Sequence, residues 1–307
     1  MNTTMGRTEW IMLVALSILW GGSFFFVGIA VNDVPPLTIV SVRVILSALA
    51  LHVILKVMGQ RFPMDKSLLM AFLIMGLLNN AIPFSLIAYG QSHIASGLAS
   101  ILNATTPIFT VIVAHFFTTD EKLTTRKLVG VLVGFFGVAI MIGIDALQAL
   151  GIHVFAQIAI LVATTSYAFA GIYGKRFQSM GVKPLTVATG QVTMTSIVML
   201  PLVFIVDQPW QLPVPTLNSI LALIALAILS TVLAYLLFFE ILARAGATNL
   251  LLVTFLIPPS AILLGVLILN ETIQFNHMLG LSFIIISLLT IDGRIIGRIG
   301  NKKSGSY

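Results

Sequence analysis

Long apolar runs dominate the chain, and its polar positions collect between them. A helix needs about 20 mostly apolar residues to cross a hydrocarbon core. Ten segments meet that need: Trp10–Val31, Leu37–Leu55, Leu68–Tyr89, Ser96–Phe117, Leu128–Ile144, Phe155–Gly174, Leu185–Val206, Leu217–Ile241, Thr248–Leu269 and Met278–Ile291. The first is too long for a signal-peptide core and no small-residue cleavage site follows it, so it is expected to be a retained helix. The pattern predicts an all-α integral membrane protein with ten transmembrane helices.

Composition agrees. Of 307 residues, 58% are hydrophobic and 8% charged, with no cysteine; the mean hydropathy is +1.09. A soluble domain carries about 25% charged residues, so a soluble enzyme, a disordered chain, a disulfide scaffold and a thiolate metal site are excluded. The net charge of +6 takes its meaning from placement. When connections alternate between two sides, one side receives Arg7, then Lys56, Arg61 and Lys66, then Lys122, Arg126 and Lys127, then Lys175, Arg176 and Lys183, then Arg244, then the tail Arg294, Arg298, Lys302 and Lys303. That is every basic residue except Arg43, or 15 of 16. The connections around Asp33, His93, Asp145, Asp207 and Glu271 receive none. The positive-inside rule then makes the basic side cytoplasmic, with both termini there. The charge is an orientation signal, so no nucleic-acid partner is expected.

The halves repeat. Pro36-Leu37-Thr38 returns as Pro184-Leu185-Thr186, Pro107 followed by Glu121 returns as Pro258 followed by Glu271, and Gly130 and Gly143 match Gly280 and Gly293. The units are 1–149 and 150–307, with five spans each. An odd span number sends the second unit into the membrane from the opposite side, giving inverted repeats. Such symmetry supports alternating access, which favours a secondary transporter over a channel or receptor.

The residues also carry a resemblance. Trp20-Gly21-Gly22-Ser23-Phe24, Pro36 with Arg43, Ala95 to Ser100 followed by Pro107, and Glu121-Lys122-Leu123-Thr124 resemble the EamA-type half of the drug/metabolite transporter superfamily. Ala245-Gly246-Ala247, Pro258 and Asn270-Glu271-Thr272 repeat the pattern. Pro259 and the extra residue in Thr119-Asp120-Glu121 depart from it. The resemblance implies a ten-helix carrier in the cytoplasmic membrane, often an exporter of amino acids or other small metabolites.

Candidate site residues are polar or helix-breaking positions at mid-depth. Pro107 and Pro258 interrupt spans 4 and 9 at matching places, where proline frees helix carbonyls; a packing kink is the plain alternative. Asn103 and Thr254 lie one turn before them, and Asn79-Asn80 in span 3 align with Ser230-Thr231 in span 8. A carboxamide facing lipid is costly, so these face either a cavity or a neighbouring helix. Arg43 sits about 9 Å along span 2 from Leu37, where a charge costs about 2.5–3.5 kcal/mol at full depth. It either binds a substrate anion or clamps carbonyls at a helix break; its repeat partner, Gln191, favours the clamp. Trp20 and Tyr167 occupy corresponding places in spans 1 and 6 and are candidate pocket walls. Glu121 and Glu271 are expected to cap helices, and Glu240 to pair with Arg244.

The expected substrate-binding set is therefore Trp20, Arg43, Asn80, Asn103, Tyr167, Gln191, Ser230 and Thr254. With few charges it suits a neutral or zwitterionic solute such as an amino acid, and a strongly anionic one would need more cations. No cofactor, metal or catalytic residue is expected, and no Gly-x-Ser-x-Gly or His-Glu-x-x-His motif occurs. Expected partners are a small-molecule substrate and the lipid bilayer, as a monomer or homodimer. Carriage of a drug, nucleotide-derived or phosphorylated solute, a passive channel and an intramembrane enzyme stand as alternatives.

Overall fold

A computed structural model describes residues 5–119, 122–142, 153–260 and 275–292. Glu121, Glu271, Gly143, Gly293 and the basic tail lie outside the described residues. Helix occupies each of the ten expected segments among those described. Seven helical stretches are long and apolar enough to cross a membrane, and Phe275–Ile291 is a shorter apolar helix.

Spans 1 and 2 are the helices Arg7–Ala30 and Pro36–Val57, and span 7 is Pro184–Val206. Spans 2 and 7 each begin on the proline of the repeat, whose missing N–H costs nothing in a first helical turn. Span 3 runs as Lys66–Gly76, a wider π-helical turn over Leu77–Ala81, and Ile82–Gln91. Span 8 repeats that construction as Leu217–Ala227, a π turn over Ile228–Leu233, and a helix from Ala234. Span 4 is broken between Ser96–Asn103 and Thr106–Phe117. Spans 5, 6 and 10 are Thr125–Ile142, Val154–Gly174 and Phe275–Asp292. Gly246, at φ 80°, makes the corner between spans 8 and 9, a left-handed conformation that a side chain would strain.

The packing exchanges elements between the halves. Span 1 packs on span 8 as span 6 packs on span 3, and span 2 meets span 8 as span 7 meets span 3. Span 4 lies on span 6, and the hydroxyls of Ser17 and Ser260 join spans 1 and 9 at 2.7 Å. Spans 2 and 7 pair with each other, as do spans 5 and 10. Each of these contacts maps onto its counterpart, or onto itself, when the repeats are interchanged, so neither half has a core of its own.

The surface is apolar, and so is most of the interior, with buried polar side chains set among the apolar ones. Leu49, Val53 and Val57 point outward along one face of span 2, while Arg43, Ser47 and Leu51 are buried on another. Lipid is as apolar as leucine, so association rests on close approach and internal hydrogen bonds. Spans 5 and 10 show the first: a Cβ on Gly137 would lie 2.9 Å from the Gly280 carbonyl oxygen, and one on Gly280 would lie 2.5 Å from that of Gly137. Ser287 Oγ donates to the Gly130 carbonyl across the same seam at 2.6 Å.

Two aspartates in loops of the charge-poor side tie the halves together at helix N-termini. Asp207, after span 7, accepts from Thr38 N at 2.7 Å and Thr38 Oγ1 at 2.8 Å, in the first turn of span 2. Asp33, after span 1, accepts from Thr216 N at 3.1 Å, Thr216 Oγ1 at 2.5 Å and Ser219 Oγ at 2.7 Å, at the start of span 8. Anionic caps suit the positive end of a helix. On the opposite side Arg244 reaches Glu240 at 2.5 Å and Glu9 at 3.7 Å, half exposed; such pairs contribute little.

Two outcomes follow. Gly137→Val forces spans 5 and 10 apart and is expected to destabilise the protein by about 1–3 kcal/mol, read as a lower melting temperature in detergent. The Thr216 hydroxyl first, then Ser219 and the Thr216 N–H, hold the Asp33 carboxyl below the usual carboxylate range. A lowered folded-state value means that the stabilisation is present above the ordinary carboxylate value and lost as pH falls through the lowered one. Asp33→Asn should therefore melt below the native protein at neutral pH, with the two curves converging in acid.

Candidate functional site

The site is built around Arg43. It is 5% exposed and lies inside span 2, where burial strips its charge of most of its solvation. Its Nε donates to Thr231 Oγ1 at 2.7 Å and its Nη2 to the Ser230 carbonyl at 3.1 Å. Both acceptors belong to the π turn of span 8, where the widened ladder leaves carbonyls short of helical donors. The guanidinium also lies over the Phe84 ring at 3.7 Å, a cation–π contact strengthened by desolvation. No carboxylate of a described residue pairs with it.

Gln191 holds the counterpart position in span 7 and reaches the other π turn: Asn79 Nδ2 donates to Gln191 Oε1 at 3.1 Å. Pro83 supplies a reason for that turn, because it cannot donate to the Asn79 carbonyl one turn earlier. The Tyr235 hydroxyl takes that carbonyl at 3.4 Å and also donates to Asn80 Oδ1. Asn80 Nδ2 in turn donates to Thr195 Oγ1 at 3.1 Å. Each repeat thus holds the π turn of the other with a polar side chain from its second span.

Beside Arg43 lies a cavity of about 60 Å³, taken as the space open to the centres of water-sized spheres. Trp20, Ser23, Phe24 and Val27 of span 1 form one wall; Phe84, Ile87 and Gln91 of span 3 form another. Asn103 and Thr106 of span 4, Tyr167 of span 6, Tyr235 and Phe238 of span 8, and Leu251, Thr254 and Ile257 complete it. Of the expected site residues, Trp20, Arg43, Asn103, Tyr167 and Thr254 meet here.

Asn80, Gln191 and Ser230 do not line the cavity. Asn80 and Gln191 are committed to the network above, and Ser230 Oγ donates to the Leu19 carbonyl at 2.8 Å. Their bonds run to adjacent helices, and only Gln191 Nε2 among these side-chain atoms is left without a partner. The helix breaks also differ from expectation. Pro107 lies just past the break at Ala104-Thr105, and Thr106 Oγ1 donates to the Asn103 carbonyl that the proline frees, at 2.6 Å. In span 9 the interruption is at Leu252, and residues 253–260 are helical through Pro258. There the turn tightens one step early, Phe255 N donating to the Leu252 carbonyl at 3.0 Å.

Gln91 was not among the expected residues, and it enters the lining from the end of span 3. Its signal in sequence is a carboxamide close to a span end, a position where contact with water ordinarily explains such a residue. Asn103, 4% exposed, makes no side-chain hydrogen bond among the described residues, and neither does Nη1 of Arg43.

The clamp has a direct test. Thr231→Val strands the buried Arg43 Nε and is expected to cost about 1–3 kcal/mol, seen as reduced thermal stability. Arg43→Gln, which copies the repeat partner, is expected to fold and insert at near-native yield, whereas Arg43→Leu leaves the π turn without donors and falls well below it.

Comparison with known proteins places this geometry. The EamA-like transporter family matches residues 8–143 and again 154–291. Uncharacterized transporter YoaV of Bacillus subtilis (strain 168) is 26% identical, over 87% of this chain and 91% of its own. Uncharacterized inner membrane transporter YedA of Escherichia coli (strain K12) is 28% identical, over 91% and 89%. An Escherichia coli (strain K12) protein named "Probable amino-acid metabolite efflux pump" is 23% identical, over 92% and 94%. A solved crystal structure shares the fold at a TM-score of 0.72 and 16% identity, covering 94% of this chain and 98% of that one. With both repeats matched, the chain belongs to the EamA-like transporter family and is a multi-pass membrane transporter.

Proposed function

We propose that this protein is a secondary carrier of the cytoplasmic membrane that moves a small zwitterionic solute, an amino acid or a close relative, outward by alternating access. The observation that carries the reading is the buried, permanently charged Arg43. Its Nε and Nη2 are engaged, its Nη1 is uncommitted beside the cavity, and no described carboxylate neutralises it. A buried charge without a partner is costly, and a solute carboxylate would supply one. A phosphorylated solute calls for several cations, and Arg43 is the only one in the lining.

Size supports a small solute. One water needs about 10–15 Å³ on the same measure, so the cavity has room for about four waters in this state. The interchangeable packing of the halves supports rocking about the mid-depth site. The 15 basic residues on one side (16 less Arg43) support cytoplasmic termini. The names of two relatives, one an inner membrane transporter and one an amino-acid metabolite efflux pump, support location, direction and class.

Purified protein in sealed proteoliposomes, tested for counterflow with each common L-amino acid, should show saturable exchange of at least one small neutral member. Arg43→Gln should keep its fold and lose most of that exchange. Absence of counterflow with every amino acid would sink the reading.

A further inference from the structure

The lining holds a second polar feature, on the wall formed by the end of span 3 and by span 4. Gln91 is 7% exposed, and its Nε2 donates to the Phe24 carbonyl at 3.0 Å and to Ser96 Oγ at 2.7 Å. The Phe24 bond fixes the orientation of the amide, because a carbonyl only accepts and so requires the nitrogen there, whereas the Ser96 hydroxyl would serve either atom. Gln91 Oε1 is thereby committed as an acceptor, and it has no donor. Span 1 comes close at this point: a Cβ on Gly28 would lie 2.9 Å from Ser96 Oγ, so a side chain there would push the Ser96 hydroxyl from its place.

The Asn103 amide makes no side-chain hydrogen bond among the described residues, so nothing holds it in one orientation and its oxygen is free to turn toward the cavity as a second acceptor. Buried acceptors are nearly always satisfied, by protein or by something bound. Two of them in the lining of one cavity, together with an uncommitted guanidinium N–H, make a site with an acceptor end and a donor end. The lining contains no carboxylate.

We propose that Gln91 and Asn103 form the subsite for the primary ammonium of the transported solute, so that it lies with its nitrogen toward spans 3 and 4 and its carboxylate at Arg43. The inference rests on the carrier reading above and deepens it. A carboxamide oxygen accepts from an ammonium without adding a charge of its own. Selection for the amine therefore comes from hydrogen bonding, and a neutral acceptor releases the solute more readily than an ion pair would. Val27, Ile87, Leu251 and Ile257 offer apolar surface for the remainder of the solute, beside the hydroxyl-bearing Ser23, Thr106 and Thr254.

The Asn103 side chain makes no hydrogen bond among the described residues, so Asn103→Leu removes the subsite without removing a side-chain hydrogen bond; Gln91→Leu is the companion variant. In proteoliposomes, the best-exchanged amino acid and its deaminated carboxylic acid are compared as competitors of counterflow, with melting temperature as the check on folding. The native protein should favour the amine-bearing solute. Each variant should raise its half-saturation concentration by about 10-fold to 100-fold, the span of a hydrogen bond to a charged group, and leave competition by the deaminated acid unchanged. If Asn103→Leu keeps the native preference, or weakens both competitors equally, the subsite assignment is overturned while the carrier reading stands. If the native protein exchanges no amino acid, both fall together.

Discussion

Much of this structure turns on how one guanidinium is kept inside an apolar slab. Arg43 is buried, and a lone charge at that depth demands compensation. It donates two hydrogen bonds to the π turn of span 8 and lies over the face of Phe84. The same contacts hold span 2 against span 8, and so join the halves at the level of the cavity. The charge and the irregular turn answer each other: the turn offers acceptors that a regular helix would have used, and the arginine supplies donors that a lipid-facing wall could not.

The repeats obey this logic without copying it. Gln191 replaces Arg43 in span 7 and the roles reverse: Asn79 of span 3 donates to Gln191, where Ser230 and Thr231 of span 8 accept from Arg43. A neutral pair serves one π turn and a charged contact the other, so the symmetric frame surrounds an asymmetric interior. The charged copy lines the cavity and the neutral one does not. This asymmetry gives the cavity a polarity that two identical halves would cancel. The capping aspartates are a further asymmetry: Asp207 holds the start of span 2 and Asp33 the start of span 8, both on the charge-poor side and each reaching across the repeat boundary.

Polar residues at mid-depth were legible as polar residues needing partners, but which partner each would take was not. Asn80 and Asn103 look alike in sequence, each a carboxamide in an apolar run. Asn80 lies in the π turn, facing Tyr235 and Thr195, and is consumed by them. Asn103 lies at the end of a broken helix and finds no protein donor. Pro258 read as a break because proline removes a helix hydrogen bond, yet the chain yields at Leu252 instead. Gln91 stood too near a span end to demand an explanation until span 1 was found to close over it.

Depth and side were decided by the sequence alone. Hydropathy is a sum along the chain, so it marks where helices enter and leave the bilayer, and the distribution of charge assigns connections to two sides. Duplication and the odd number of spans per unit likewise need no coordinates. Only the tertiary structure decided direction around each helix axis. In a soluble helix the polar face marks the outside, whereas here lipid-facing and helix-facing surfaces are both apolar and the period carries little angular information. Whether a buried polar atom meets a neighbour or an opening depends on helices distant in sequence, and for Arg43 the answer is both.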